Sequence, residues 1–129
     1  MSYTIDRTIN GITLQEAEER VRAALTDRGF GVLTEIDVAA TMKKKLDKDI
    51  APYKILGACN PKMAFEALQL EPRVGAMLPC NVILRELAGG KVEISAVDPV
   101  ASMTAIDNPG LAEVAGKVRG MLGEAVEAA

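Results

Sequence analysis

The sequence predicts an α+β domain, and three observations carry that reading. Strand-like alternations are interleaved with four amphipathic stretches that begin on recognisable caps, Thr13, Asp37, Asn60 and Asn108. A Gly89-Gly90 step, a tight-turn signal, lies between two strand-like runs. No linker, repeat or low-complexity stretch divides the 129 residues, so residues 1–129 are read as one domain.

Taken in order, residues 3–9 alternate as a first strand through Tyr3, Ile5, Arg7 and Ile9. Thr13-Leu14-Gln15-Glu16 is a capping box, in which hydroxyl and carboxylate satisfy free N–H groups reciprocally. The helix it opens sets Leu14, Ala17, Val21, Ala24 and Leu25 on one stripe, and Gly29 suits its C-terminal end. A second strand runs from Phe30 to Val38, and Asp37 caps a short helix through Leu46. The Lys43-Lys44-Lys45 run is expected to be a solvated helix face, because Asp47 and Asp49 follow at once.

Pro52 precedes a third strand, Tyr53–Cys59, and Asn60-Pro61 pairs an N-cap with a first-turn proline. The helix carries Met63, Ala64, Ala67 and Leu68 inward and closes at Pro72; residues 73–79 form a linking segment. Taking Gly89-Gly90 as the whole hairpin turn pairs Ala88 with Lys91. That register sets Leu87 opposite Val92, Arg85 opposite Ile94, Ile83 opposite Ala96 and Asn81 opposite Asp98, all on the helix-covered face. It leaves Glu86 facing Glu93 on the other face, where Val82, Leu84 and Val97 then need a cover from another segment or a second subunit. Val100–Ile106 is read as one more short strand, and Asn108-Pro109 opens a C-terminal helix with Leu111, Val114, Ala115, Val118, Met121, Leu122 and Ala125 on its stripe.

Composition excludes several functions. A net charge of −3 and only four aromatic residues disfavour nucleic acid, which needs basic surface or stacking platforms. No apolar run approaches the ~20 residues that cross a bilayer, and the first residues carry no export signal, so a soluble, cytoplasmic protein with reduced thiols is expected. Histidine is absent, which removes triad catalysis and the usual zinc ligand sets. A binding or interaction role is therefore favoured over an enzymatic one.

Gly29-Phe30-Gly31-Val32, Ala58-Cys59-Asn60-Pro61, Leu78-Pro79-Cys80-Asn81-Val82 and Val97-Asp98-Pro99, in that order, resemble the family called domain of unknown function 302. The resemblance implies a TBP-like fold, with a curved, mainly antiparallel sheet and helices packed on one face, often as a homodimer in bacteria and archaea. It implies no activity, because the family has no settled biochemical role.

The two Cys-Asn steps are the candidate site: Cys59, Asn60, Cys80 and Asn81, with Asp98 expected beside them. Cys59 precedes a helix N-terminus, whose free N–H groups stabilise a thiolate. Each residue also has a plain structural explanation, since free cysteines pack as small apolar groups and asparagines cap helices and turns. Three readings stay open. One is a small-molecule or soft-metal site, Zn or Cu, on Cys59 and Cys80 with Asp98 or Met77 nearby. Another is thiol redox chemistry between Cys59 and Cys80. The third is a dimeric interaction protein in which the cysteines only pack. Paired-carboxylate hydrolysis through Glu35, Asp37 or Asp98 stands well behind these.

Overall fold

Thr13 and Glu16 do close the first helix reciprocally: the Glu16 backbone N–H donates to Thr13 Oγ1 at 3.1 Å, and the Thr13 N–H donates to Glu16 Oε1 at 3.4 Å. The computed structural model describes residues 2–129. Its order is β1 (Thr4–Asn10), α1 (Leu14–Thr26), β2 (Gly31–Asp37), α2 (Val38–Leu46), β3 (Tyr53–Cys59) and α3 (Pro61–Leu70). A 3₁₀ turn (Pro72–Met77), β4 (Cys80–Leu87), β5 (Lys91–Val97), α4 (Pro99–Ser102) and α5 (Pro109–Ala128) complete it. The strands form one antiparallel sheet in the order β1-β5-β4-β3-β2.

The caps expected from the sequence set the helix starts. Asp37 accepts from Ala40 at 2.9 Å, Asn60 from Met63 at 3.2 Å and Asn108 from Leu111 at 3.2 Å. Such caps matter because the first N–H groups of a helix have no partner within it. α1 runs out at Thr26, and Gly29 then takes the left-handed backbone (φ 81°) that lets the Phe30 N–H reach back to Leu25.

The hairpin corrects the expected register. Ala88 belongs to the turn, so the loop has three residues and Leu87, not Ala88, pairs with Lys91. A one-residue slip turns β4 over against β5, whose Val92, Ile94 and Ala96 stay inward as expected. Leu84 now pairs with Ile94 and Val82 with Ala96, and these four are buried under the helices together with Val92. Arg85 meets Glu93, with Nε 2.6 Å from Oε1, so the expected Glu86–Glu93 opposition does not arise. Val82 and Leu84, which the expected register left needing a second cover, are core, while Val97 stays half-buried on the opposite face.

Leu56 extends that face onto β3, and Val21, Leu25, Leu111 and Leu122 close over it from α1 and α5; each buried side chain of this size is worth about 2 kcal/mol. Arg7 lies on the same face and donates to the last carbonyls of α5, including Glu127 O at 2.6 Å. Toward β2 the face ends in ions: Lys54 Nζ sits 2.7 Å from Glu18 and also meets Glu35, while Arg22 bridges both carboxylates. The hydrogen bonds that Lys54 donates to Glu18 and Glu35 outweigh burial and raise its ammonium above its ordinary range.

The expected strand at Val100–Ile106 is instead α4 and a turn. Asp98 explains this: its Oδ1 accepts from Val100 at 2.9 Å and Ala101 at 3.3 Å, and Pro99 supplies a first helical residue. A cap outcompetes the β propensity of a short apolar run that has no neighbouring strand to pair with.

Candidate functional site

The site lies where β3 ends and β4 begins. Ala58 pairs with Cys80, so the last residue of β3, Cys59, is one step off Cys80 on the adjacent strand. The proximity of the two Cys-Asn steps is thus built by strand pairing. Gly57 permits it: a Cβ there would overlap the Thr34 hydroxyl and the Pro79 ring, which follows a cis Leu78-Pro79 bond.

Cys80 points into the helix-covered side and is 6% exposed. Burial, and then the neighbouring Cys59, push its thiol up to about 11. Cys59 follows Ala58, the partner of Cys80, so the strand pleat turns it off the face that Cys80 shares, and it borders the pocket at its half-buried rim. Both thiols are free. Asn60 is held by its cap to Met63, and its Nδ2 donates to Arg28 O at 3.5 Å, beside Gly29.

The pocket between this strand end, α3, α4 and α5 is walled by apolar side chains, among them Phe30, Leu78 and Val114. Its interior is about 30 Å³, room for roughly two waters at 10–15 Å³ each. A drug-sized ligand needs some hundreds of Å³. One feature sets the lining apart. The chain has two cysteines and six methionines, and four of these eight sulfur residues line this one pocket: Cys59, Cys80, Met63 and Met103.

The structure separates the other expected members from this centre. Asn81 is exposed and lines a shallow cleft with Met77, Pro79 and Val97. Val82 pairs with Ala96, and Asp98 lies beyond the last paired residue of β5 rather than opposite Asn81 as the slipped register had it. Asp98 caps α4 and its Oδ2 is 2.9 Å from Arg119 Nε. Burial alone would raise that carboxyl, but the hydrogen bonds from Arg119, Ala101 and Val100 prevail and hold it below the usual range. Among the described residues, no three His, Cys, Asp or Glu side chains gather as a metal-ligating group. Met63 and Met103 were missed from sequence. Met63 had only a core role on its helix stripe, and Met103 fell in the segment misread as a strand.

A larger open cleft of about 430 Å³ lies between β1 and α5, lined by Asp6, Arg7, Arg119, Glu124 and Glu127. Its two arginines are already committed, Arg7 to the end of α5 and Arg119 to Asp98. No helix of the described residues is long and apolar enough to cross a membrane.

A comparison with curated proteins finds no match. Among solved structures, the crystal structure of an uncharacterized conserved protein DUF302 from Bacillus stearothermophilus is similar at a TM-score of 0.87 and 27% identity, over 95% of this chain and 96% of that one. The family described as "Domain of unknown function DUF302" matches residues 5–129, and the chain belongs to that family.

Proposed function

We propose that the protein is a binding module, not an enzyme, and that it takes a single soft metal ion, Zn or Cu, at Cys59 and Cys80. What supports this is the adjacency of two free thiols on neighbouring strands beside a pocket of about 30 Å³, which is too small for an organic ligand. No His exists, and Asp98 lies outside the pocket, paired with Arg119, so the pocket offers neither imidazole nor carboxylate for proton transfer. Asn60 acts by fixing the start of α3 at the pocket rim. A reducing cytoplasmic location would keep both thiols available.

Thiol–disulfide exchange is the weaker reading. A disulfide needs sulfurs about 2.05 Å apart, whereas an ion can join sulfurs up to about 4.6 Å apart with bonds near 2.3 Å. The thiol of Cys80, pushed up to about 11, is also a poor attacking group.

Titration of reduced, metal-free protein with Zn(II) and with buffered Cu(I) tests the reading. One equivalent of at least one ion is expected to bind, and Cys59→Ser and Cys80→Ser should each weaken it tenfold or more. Absence of binding, or equal binding by the Cys80→Ser protein, refutes it.

Self-association is a second reading with its own observation. On the face opposite α1 and α5, Ile36, Ile55 and Ile83 stand side by side across three strands, and Ile36 is 47% exposed. A homodimer through this row predicts that Ile36→Lys shifts the sedimentation mass to the monomer; an unchanged mass removes it.

A further inference from the structure

We propose that the outer edge of β1 takes up an extended, lysine- or arginine-bearing segment of another protein as an added antiparallel strand, whose alternate side chains enter the cleft between β1 and α5. The proposal is independent of metal binding at the cysteines and of the isoleucine row.

Both ends of β1 show which of its residues bond to β5. The Asp98 N–H donates to Tyr3 O at 2.8 Å, and the Gly11 N–H donates to Gly90 O at 3.0 Å. In an antiparallel ladder, bonded pairs alternate with non-bonded ones. Ile5, Arg7 and Ile9 therefore bond to Ala96, Ile94 and Val92, while Thr4, Asp6, Thr8 and Asn10 turn their N–H and C=O groups to the free edge. Ser2 closes the first of these: its Oγ donates to Thr4 O at 2.8 Å and accepts from the Thr4 N–H at 3.3 Å. Among the described residues, nothing bonds the outward backbone groups of Asp6, Thr8 and Asn10.

The two edges of the sheet differ. A bare edge templates further strands, so edges are commonly blunted by lysine, proline, a bulge or a cover. β2 has a bulge, where its register shifts between Val32 and Thr34. β1 pairs without a break over Thr4–Asn10 and carries neither lysine nor proline.

The cleft sets the partner's chemistry. In strand addition, main-chain bonds give affinity and alternate side chains give selectivity. Side chains on the helix side of the added strand meet the cleft of about 430 Å³, where Gly120 and Gly123 leave open space on α5. Arg7 fixes this wall by donating to the Val126 and Glu127 carbonyls. With Arg7 and Arg119 engaged, acidic groups remain. Glu127 has no ion-pair partner among the described residues, and Glu124 meets only Arg28, at 3.6 Å. A lysine or arginine complements them; a carboxylate is repelled.

The probe is a capped eight-residue peptide alternating threonine with lysine. Paired residues of antiparallel strands share a face, so the threonines pair with Asp6, Thr8 and Asn10 and the lysines enter the cleft. Binding to the parent protein should slow hydrogen exchange at the Asp6, Thr8 and Asn10 amides. N-methylation of the threonines should abolish binding, whereas N-methylation of the lysines, on the far edge, should leave it within twofold. Glutamate in place of lysine should weaken it tenfold or more. Thr8→Pro removes one outward N–H and spares the β1–β5 ladder, since proline is tolerated where the N–H faces solvent. It should weaken the peptide tenfold or more while the Ile9 amide stays protected.

A parent that does not bind, equal binding of both N-methylated peptides, or equal binding of the glutamate peptide overturns the proposal. So does a parent dimer that Thr8→Pro converts to monomer, because a second copy then occupies the edge.

Discussion

The same dipeptide occurs at both sides of the pocket and meets two fates. At Cys59-Asn60 the chain leaves a strand for a helix; the cysteine stays half-buried at the rim and the asparagine caps α3. At Cys80-Asn81 the chain enters a strand; the cysteine is buried against the core and the asparagine is exposed on the opposite face. Residue type alone does not make a site. The strand end and the pleat decide which Cys is reachable and which Asn has structural work.

Thiol chemistry should split the two steps most widely. With Cys80 pushed from 9.0 to about 11, its thiolate fraction at pH 8 is roughly 100-fold below that of an ordinary thiol. In metal-free protein one cysteine, Cys59, should react promptly with a disulfide reagent, and Cys80 should react at least 100-fold more slowly until denaturant is added. The direction follows from the shift: raising the pH toward 11 should recover Cys80 reactivity. Two equally fast thiols would erase the comparison.

Stability should divide them next. Cys80→Ser places a hydroxyl in an apolar pocket, a change that costs about 1–3 kcal/mol, whereas Cys59→Ser at the rim should stay near 0.5 kcal/mol. Urea unfolding of both variants measures the gap. The smallest effect concerns the asparagines. Asn60→Ala removes a helix cap and should cost about 1 kcal/mol, while Asn81→Ala should change stability by less than about 0.5 kcal/mol. Equal costs for the two asparagines would mean that Asn81 has a partner its exposed position does not supply.

Local chemistry was the part of this fold legible in sequence. Thr13-Glu16, Asp37, Asn60 and Asn108 cap where their side chains predict, because a cap depends on atoms three residues away. The hairpin was not legible, because Ala88 is compatible with either strand or turn and a single residue turns β4 over against β5. That slip alone carried Asp98 toward Asn81 and sent Val82 and Leu84 to the wrong side. At the site, the nearness of Cys59 and Cys80 could be anticipated from strand adjacency. The arrival of Met63 and Met103 could not, since it depends on how α3 and α4 pack over the sheet end, a long-range contact with no signature in spacing.

The shared pocket of the two Cys-Asn steps is most directly tested by X-ray absorption at the copper edge on protein loaded with one equivalent of Cu(I). A two-thiol site predicts at least two sulfur scatterers in the first shell, retained in Asn81→Ala and reduced by one in Cys80→Ser. A first shell without sulfur, or a protein that does not hold the equivalent, contradicts it.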